Sequence, residues 1–309
     1  MSCNTPSVSI GLTVAGGHGE GLALNQLSVP VSVFVDEDQT VYIADFGNHC
    51  IVAWKHNTAS GQVVAGENGK GNENNQFSNP TDVIVDKETD MLLICDLNNC
   101  RVMRWPRHNG TSEEVILEKI ACGRLAMDKQ RFLYISDLEK NDVRRYRMGE
   151  TNGTEVAGGN GVGDRLNQFN RPGYLFVDNE QSVYVSDSWN QCVMKWEKDA
   201  KEGIVAAGGH GQGNGLSQLY NPQGVVVDSS GTVYVADVYN HRVMYWPKEA
   251  TQGTVLIGVN ELGEGANQLN SPIPKQTKIF KNAFKRTNGN RDCELFTLII
   301  KIPETPFFA

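Results

Sequence analysis

A glycine-rich loop returns along this chain at near-constant intervals. It opens at Gly16, Gly66, Gly158, Gly208 and Gly258, stepping by 50 residues except for one step of 92. The long step hides a further copy whose glycine loop is cut short, around residues 118–123. Each full loop runs through Asn or Ser, Gln, and Leu or Phe to a proline: Pro30, Pro80, Pro172, Pro222 and Pro272. An apolar run ending in aspartate comes next, such as "GVVVD" up to Asp228. A turn then leads to "TVYVAD" or a variant of it, ending at Asp45, Asp96, Asp137, Asp187 and Asp237. A third run such as "HRVMYW" and a fourth such as "GTVLIG" close the unit. Such a period dictates architecture before any single residue does, because each unit is too small to bury its own apolar faces.

Four short β-branched runs per unit, separated by Gly, Pro, Asn and Asp, read as a four-stranded antiparallel meander. "VYVAD" is apolar on both alternating faces, whereas a sheet covered on one side would alternate with polar residues. Sheets stacked radially around an axis bury both faces. The expectation is an all-β chain, a six-bladed β-propeller with a defective last blade. Residues 8–272 would hold five blades and an N-terminal closing strand at residues 10–15. The tail 273–309 would be an aberrant partial sixth blade, since it follows "LNSPI" without any VYVAD or Asn-His-Arg.

Blades of the form P-x-G-V-x-V-D, then G-x-V-Y-V-A-D-x-x-N-H-R-V, resemble the NHL-repeat family. The copy at residues 221–246 carries Pro222, Gly224, Asp228, Gly231, Asp237, Asn240, His241, Arg242 and Val243. The resemblance implies the propeller fold. It leaves function open, because the family spans ubiquitin-ligase substrate modules, RNA-binding propellers, extracellular sensors and an amidating lyase.

The glycine loops invite a nucleotide reading, since glycine amides can cradle phosphate. A P-loop needs Gly-Lys-Ser/Thr running into a helix; here Gly69-Lys70-Gly71 has no following hydroxyl, and Gly211-Gln212-Gly213 leads to Pro222. The glycines are read as crossings between blades. A net charge of −8 argues against nucleic acid as a partner. No apolar run reaches the roughly eighteen residues of a membrane span, and the start lacks a secretory leader. The compartment is left open, cytoplasmic by default, and a monomer is expected. Seven cysteines without C-x-x-C spacing are read as reduced, mostly buried thiols.

Strand parity places the glycine loops and the Asp-x-x-Asn loops on one face, here called the top, and the sequons at Asn109 and Asn152 on the bottom. The strand-end aspartates could ring a cation, but an Asp there also accepts hydrogen bonds from its own loop, and recurrence in every blade favours that structural role. The histidines are repeat positions too, with Gln191 and Asn68 as equivalents, so no metal site and no cofactor is expected. Trp54, Trp105, Trp196 and Trp246 mark blade packing. Trp189 and Tyr239 stand where blade one has Gly47 and are expected to be exposed. The binding candidates are Phe46, His49, Trp189, Tyr239 and His241. The function expected is a non-catalytic scaffold that binds a protein or peptide across its top loops. The alternatives are the substrate-recognition propeller of a ubiquitin-ligase-type protein, or a metal-dependent propeller lyase or hydrolase.

Overall fold

The computed structural model describes residues 14–108 and 113–258. They form five four-stranded antiparallel sheets, each a meander in chain order. Blade I is β1 (Pro30–Val35), β2 (Val41–Asp45), β3 (Cys50–Trp54) and β4 (Gln62–Ala65). Blade II is β5 (Pro80–Asp86), β6 (Met91–Asp96), β7 (Arg101–Pro106) and β8 (Glu114–Glu118). Blade III is β9 (Cys122–Met127), β10 (Phe132–Asp137), β11 (Asp142–Arg147) and β12 (Thr154–Gly158). Blade IV is β13 (Pro172–Val177), β14 (Val183–Asp187), β15 (Cys192–Trp196) and β16 (Ile204–Gly208). Blade V is β17 (Pro222–Val227), β18 (Val233–Asp237), β19 (Arg242–Trp246) and β20 (Thr254–Ile257).

The six-bladed expectation is corrected to five blades among the described residues. Five sets of four apolar runs exist between Pro30 and Ile257, and each makes one sheet. The segments assigned to a sixth blade, 10–15 and 273–309, lie outside the described residues except for Val14 and Ala15. Those two pack with Leu27, Val33, Val41 and Trp54 against blade I.

The middle strands β2 and β14 are buried along their whole length, as their two-faced apolar pattern requires, while the outermost strands β12 and β16 begin exposed. The first strands β1, β5, β9, β13 and β17 pack one beside the next around the axis. Four of them start with proline, which is tolerated there because the inner edge has no ladder partner for its missing N–H. Just inside each start the register slips, as between Pro80 and Asp82 or Pro172 and Leu175. Such a bulge re-aims the next side chain.

Among the described residues the glycine loops bury one large residue each, Leu27, Phe77, Phe169 and Leu219, all at most 1% exposed, and the last three pack between two blades. Burying such a side chain is worth about 1.5–3 kcal/mol. Gly66 and Gly208 show why glycine is needed at the crossing. Both have φ above +70°, and a Cβ would sit 2.7 Å and 2.6 Å from the carbonyl oxygens of His49 and Gln191. The loops are punctuation, as the sequence suggests.

Blade III lacks this loop, and the joint from blade II is built differently. Cys95 of β6 and Cys122 of β9 form a disulfide with Cα atoms 5.4 Å apart, and Ile120 is buried beside it. The expectation of reduced thiols is thus corrected: Cys95 takes the alanine position of VYVAD and Cys122 the proline position, which brings them together across the joint. Cys50 and Cys192 are buried free thiols, and Cys100 is exposed.

Candidate functional site

The top face is organised by one polar unit per blade. In blade V, Asp237 accepts the Tyr220 amide on Oδ1 at 2.7 Å and the Asn240 side chain on Oδ2 at 2.8 Å. Asn240 also donates to the Gly213 carbonyl at 2.8 Å. The aspartate and asparagine thereby clamp the glycine loop to the strand ends. Blades I, II and IV repeat the clamp with Asp45–Asn48, Asp96–Asn99 and Asp187–Asn190. Blade III, without the loop, turns Asp137 onto the Glu139 and Lys140 amides instead.

In blades II and V an arginine completes the clamp. Arg242 Nε donates to Asp237 at 2.6 Å, Nη1 to the Asn214 carbonyl at 2.7 Å, and Nη2 to the Gly215 and Gln218 carbonyls at 3.0 and 3.1 Å. Arg101 binds Asp96 and the carbonyls of Asn72, Glu73 and Gln76 in the same way. Blades I and IV carry Cys50 and Cys192 there. Burial pushes the Asp187 carboxyl up to about 6, and the bonds from the Asn170 amide and Asn190 only partly offset it. A cavity of about 490 Å³ opens beside it; a smaller one of about 180 Å³ lies in blade I.

The five candidate residues divide. Trp189 and Tyr239 are 59% and 49% exposed, on the top loops of adjacent blades. The Arg171 guanidinium lies 5.6 Å from the Trp189 ring centre, and Tyr239 packs edge-on against Tyr220. Phe46 is half-buried, and its carbonyl accepts the Asn79 side chain. His49 and His241 occupy left-handed positions with φ of 58° and 53°. His49 Nδ1 accepts the Asn79 amide of the next blade at 3.1 Å. Gln191 and Asn141 accept the Asn221 and Arg171 amides from the same repeat position. His49 is therefore a staple between blades rather than a free surface group. Among the described residues, no three His, Cys, Asp or Glu side chains converge as metal ligands.

The staple makes a pH-dependent prediction. Burial, together with Lys70, holds the His49 pKa below its ordinary value. The folded state thus favours the neutral ring. Its contribution is complete above the unfolded value of about 6.5 and is lost as pH falls through the lower folded-state value. His49→Gln, which keeps the acceptor, should gain in Tm relative to the parent chain between pH 7.5 and pH 5. An unchanged Tm difference across that range would rule out a neutral-imidazole staple.

Sequence reasoning missed the axis. The position two residues after the blade proline is Gly224 in blade V but Ser32, Asp82, Arg124 and Tyr174 in the others, with Cys122 in the proline place in blade III. Arg124 donates to the carbonyls of Thr81 at 3.0 Å and Val31 at 3.3 Å and to the Tyr174 hydroxyl at 2.6 Å. Its guanidinium lies 3.9 Å from the Tyr174 ring centre. The Tyr174 hydroxyl in turn donates to the Val31 carbonyl. Asp82 accepts Ser32 Oγ and, at 2.8 Å, the Leu125 amide. These contacts join blades I to IV across the axis and occupy carbonyls that the unpaired inner edges would otherwise leave open. The departure from glycine in the P-x-G-V pattern was the available signal.

Five radially stacked blades, four of them clamped, define a β-propeller. The family model for the NHL repeat matches residues 219–243, and blades I, II and IV carry the same Asp–Asn clamp as that repeat. The described residues are thus a β-propeller, with one repeat that matches the NHL model. A search of curated proteins finds no similar sequence. Among solved structures, a protein of unknown function from Bacteroides thetaiotaomicron superposes with TM-score 0.62 at 17% identity, over 85% of this chain and 68% of that one. A chain of a nidogen/laminin complex gives 0.58 at 15%, over 74% and 79%. A catalytically inactive virginiamycin B lyase from Staphylococcus aureus, with quinupristin, gives 0.53 at 9%, over 77% and 73%. At these identities the likeness is one of fold.

Proposed function

We propose that the protein is a non-catalytic scaffold that binds a protein or peptide partner through its top-face loops. The observation that carries the reading is the pair Trp189 and Tyr239. Both are large aromatics, 59% and 49% exposed on neighbouring loops, while the recurring polar residues of the blade clamps are engaged internally. Exposed aromatics on a rigid frame have the chemistry of interaction hot spots. A neighbour from a nidogen/laminin complex supports the view that this fold serves in protein assemblies. No helix among the described residues is long and apolar enough to cross a membrane.

The test compares partner capture by the full chain and by a Trp189→Ala/Tyr239→Ala variant, with melting curves to show equal folding. The double substitution should weaken a captured partner more than about tenfold, the range of a hot-spot truncation. Equal capture by both forms would move the binding surface away from these loops.

A further inference from the structure

The cavity in blade IV has a shape that the chain itself explains. Its lining includes Asp187, Asn190, Cys192, Met194 and Val205. Their repeat counterparts in blade V are Asp237, Asn240, Arg242, Met244 and Val255. The cavity thus stands where a sister blade places an arginine side chain. In blade V the guanidinium is held by one carboxylate and three loop carbonyls. The counterparts of those carbonyls are on Asp164, Arg165 and Gln168, and among the described residues no donor reaches those of Asp164 and Gln168. Asp187 is 1% exposed, and no Lys or Arg among the described residues pairs with it. Exposed Arg165 lies on the rim, and Trp189 at the mouth.

We propose that this cavity is a binding site for an alkylguanidinium, the arginine side chain of a partner peptide, which takes the place that Arg242 fills within blade V. The guanidinium would meet the Asp187 carboxylate and the loop carbonyls in the fork geometry those groups already adopt twice in this chain. Met194 and Val205 would flank the methylene stem, and Trp189 offers a π face at the entrance. Blade I is a poorer host, because its cavity is smaller and Asp45 has a further interaction. One site per chain follows. The identity of the natural ligand rests on the top-face reading; the pocket's preference for guanidinium does not.

The experiment is calorimetric titration of the full chain with acetyl-arginine amide, acetyl-lysine amide and acetyl-citrulline amide. Arginine should bind at one site, and the uncharged citrulline isostere more than about tenfold more weakly. Cys192→Ala should keep the site, while Cys192→Arg should fill it, abolish binding and raise Tm. Should Cys192→Arg not fold, the arginine–citrulline comparison on the parent chain decides alone. Equal binding of the two amides, binding of neither, or undiminished binding to folded Cys192→Arg would overturn the proposal. If arginine fails to bind while partner capture still depends on Trp189 and Tyr239, the pocket falls and the top-face reading stands. If arginine binds while capture does not depend on them, the reverse holds.

Discussion

Replacing Arg242 by alanine is expected to destabilise the protein by about 3–5 kcal/mol, the cost of stranding one member of a buried ion pair. Arg242 and Asp237 have side chains 7% and 0% exposed. Removal leaves the Asp237 carboxylate without a cation and three loop carbonyls without their donor. Arg101→Ala should behave alike, since Arg101 and Asp96 are as deeply placed. Denaturant unfolding followed by tryptophan fluorescence gives the comparison. Losses below about 1 kcal/mol, the level of an exposed pair, would show that the clamp is held by its aspartate and asparagine alone. Blade IV already lives without the arginine, and a cavity opens there beside Asp187.

Removing the Cys95–Cys122 bond should cost a further large amount. The bond closes a sequence separation of 27 residues, for which loop-closure arguments give about 3–4 kcal/mol. Each kcal/mol lowers Tm by about 2–4 °C for a chain near this size, so a drop of about 10 °C is expected. Cys95→Ala with Cys122→Pro is the informative variant, because it restores the residues that other blades carry at both positions. Intact-mass measurement without reductant should first show the parent chain lighter by two hydrogens. A variant melting at the parent temperature would mean that Ile120 and its neighbours hold the joint unaided.

The repeat made the blade legible from sequence, because strand, turn and clamp residues recur with the period of the structure. Asp237, Asn240 and Arg242 could be read as internal because they recur; Trp189 and Tyr239 could be read as external because they do not. The disulfide escaped because Cys95 and Cys122 each look like an ordinary substitution within its own blade, and only the stacking of blades II and III brings them together. The axial residues escaped for a related reason. Arg124 and Tyr174 occupy a glycine position and are far apart in sequence from Val31, so nothing local announces that they meet. The described residues make five blades where six were expected, and the segments counted toward the sixth lie almost wholly outside them.

The Arg124–Tyr174 contacts with Val31 have a mechanical meaning. A ring of stacked sheets ordinarily takes its diameter from the meeting of its two ends. Here a crossbar of side chains braces blade I against blades III and IV, fixing the curvature of the arc from inside.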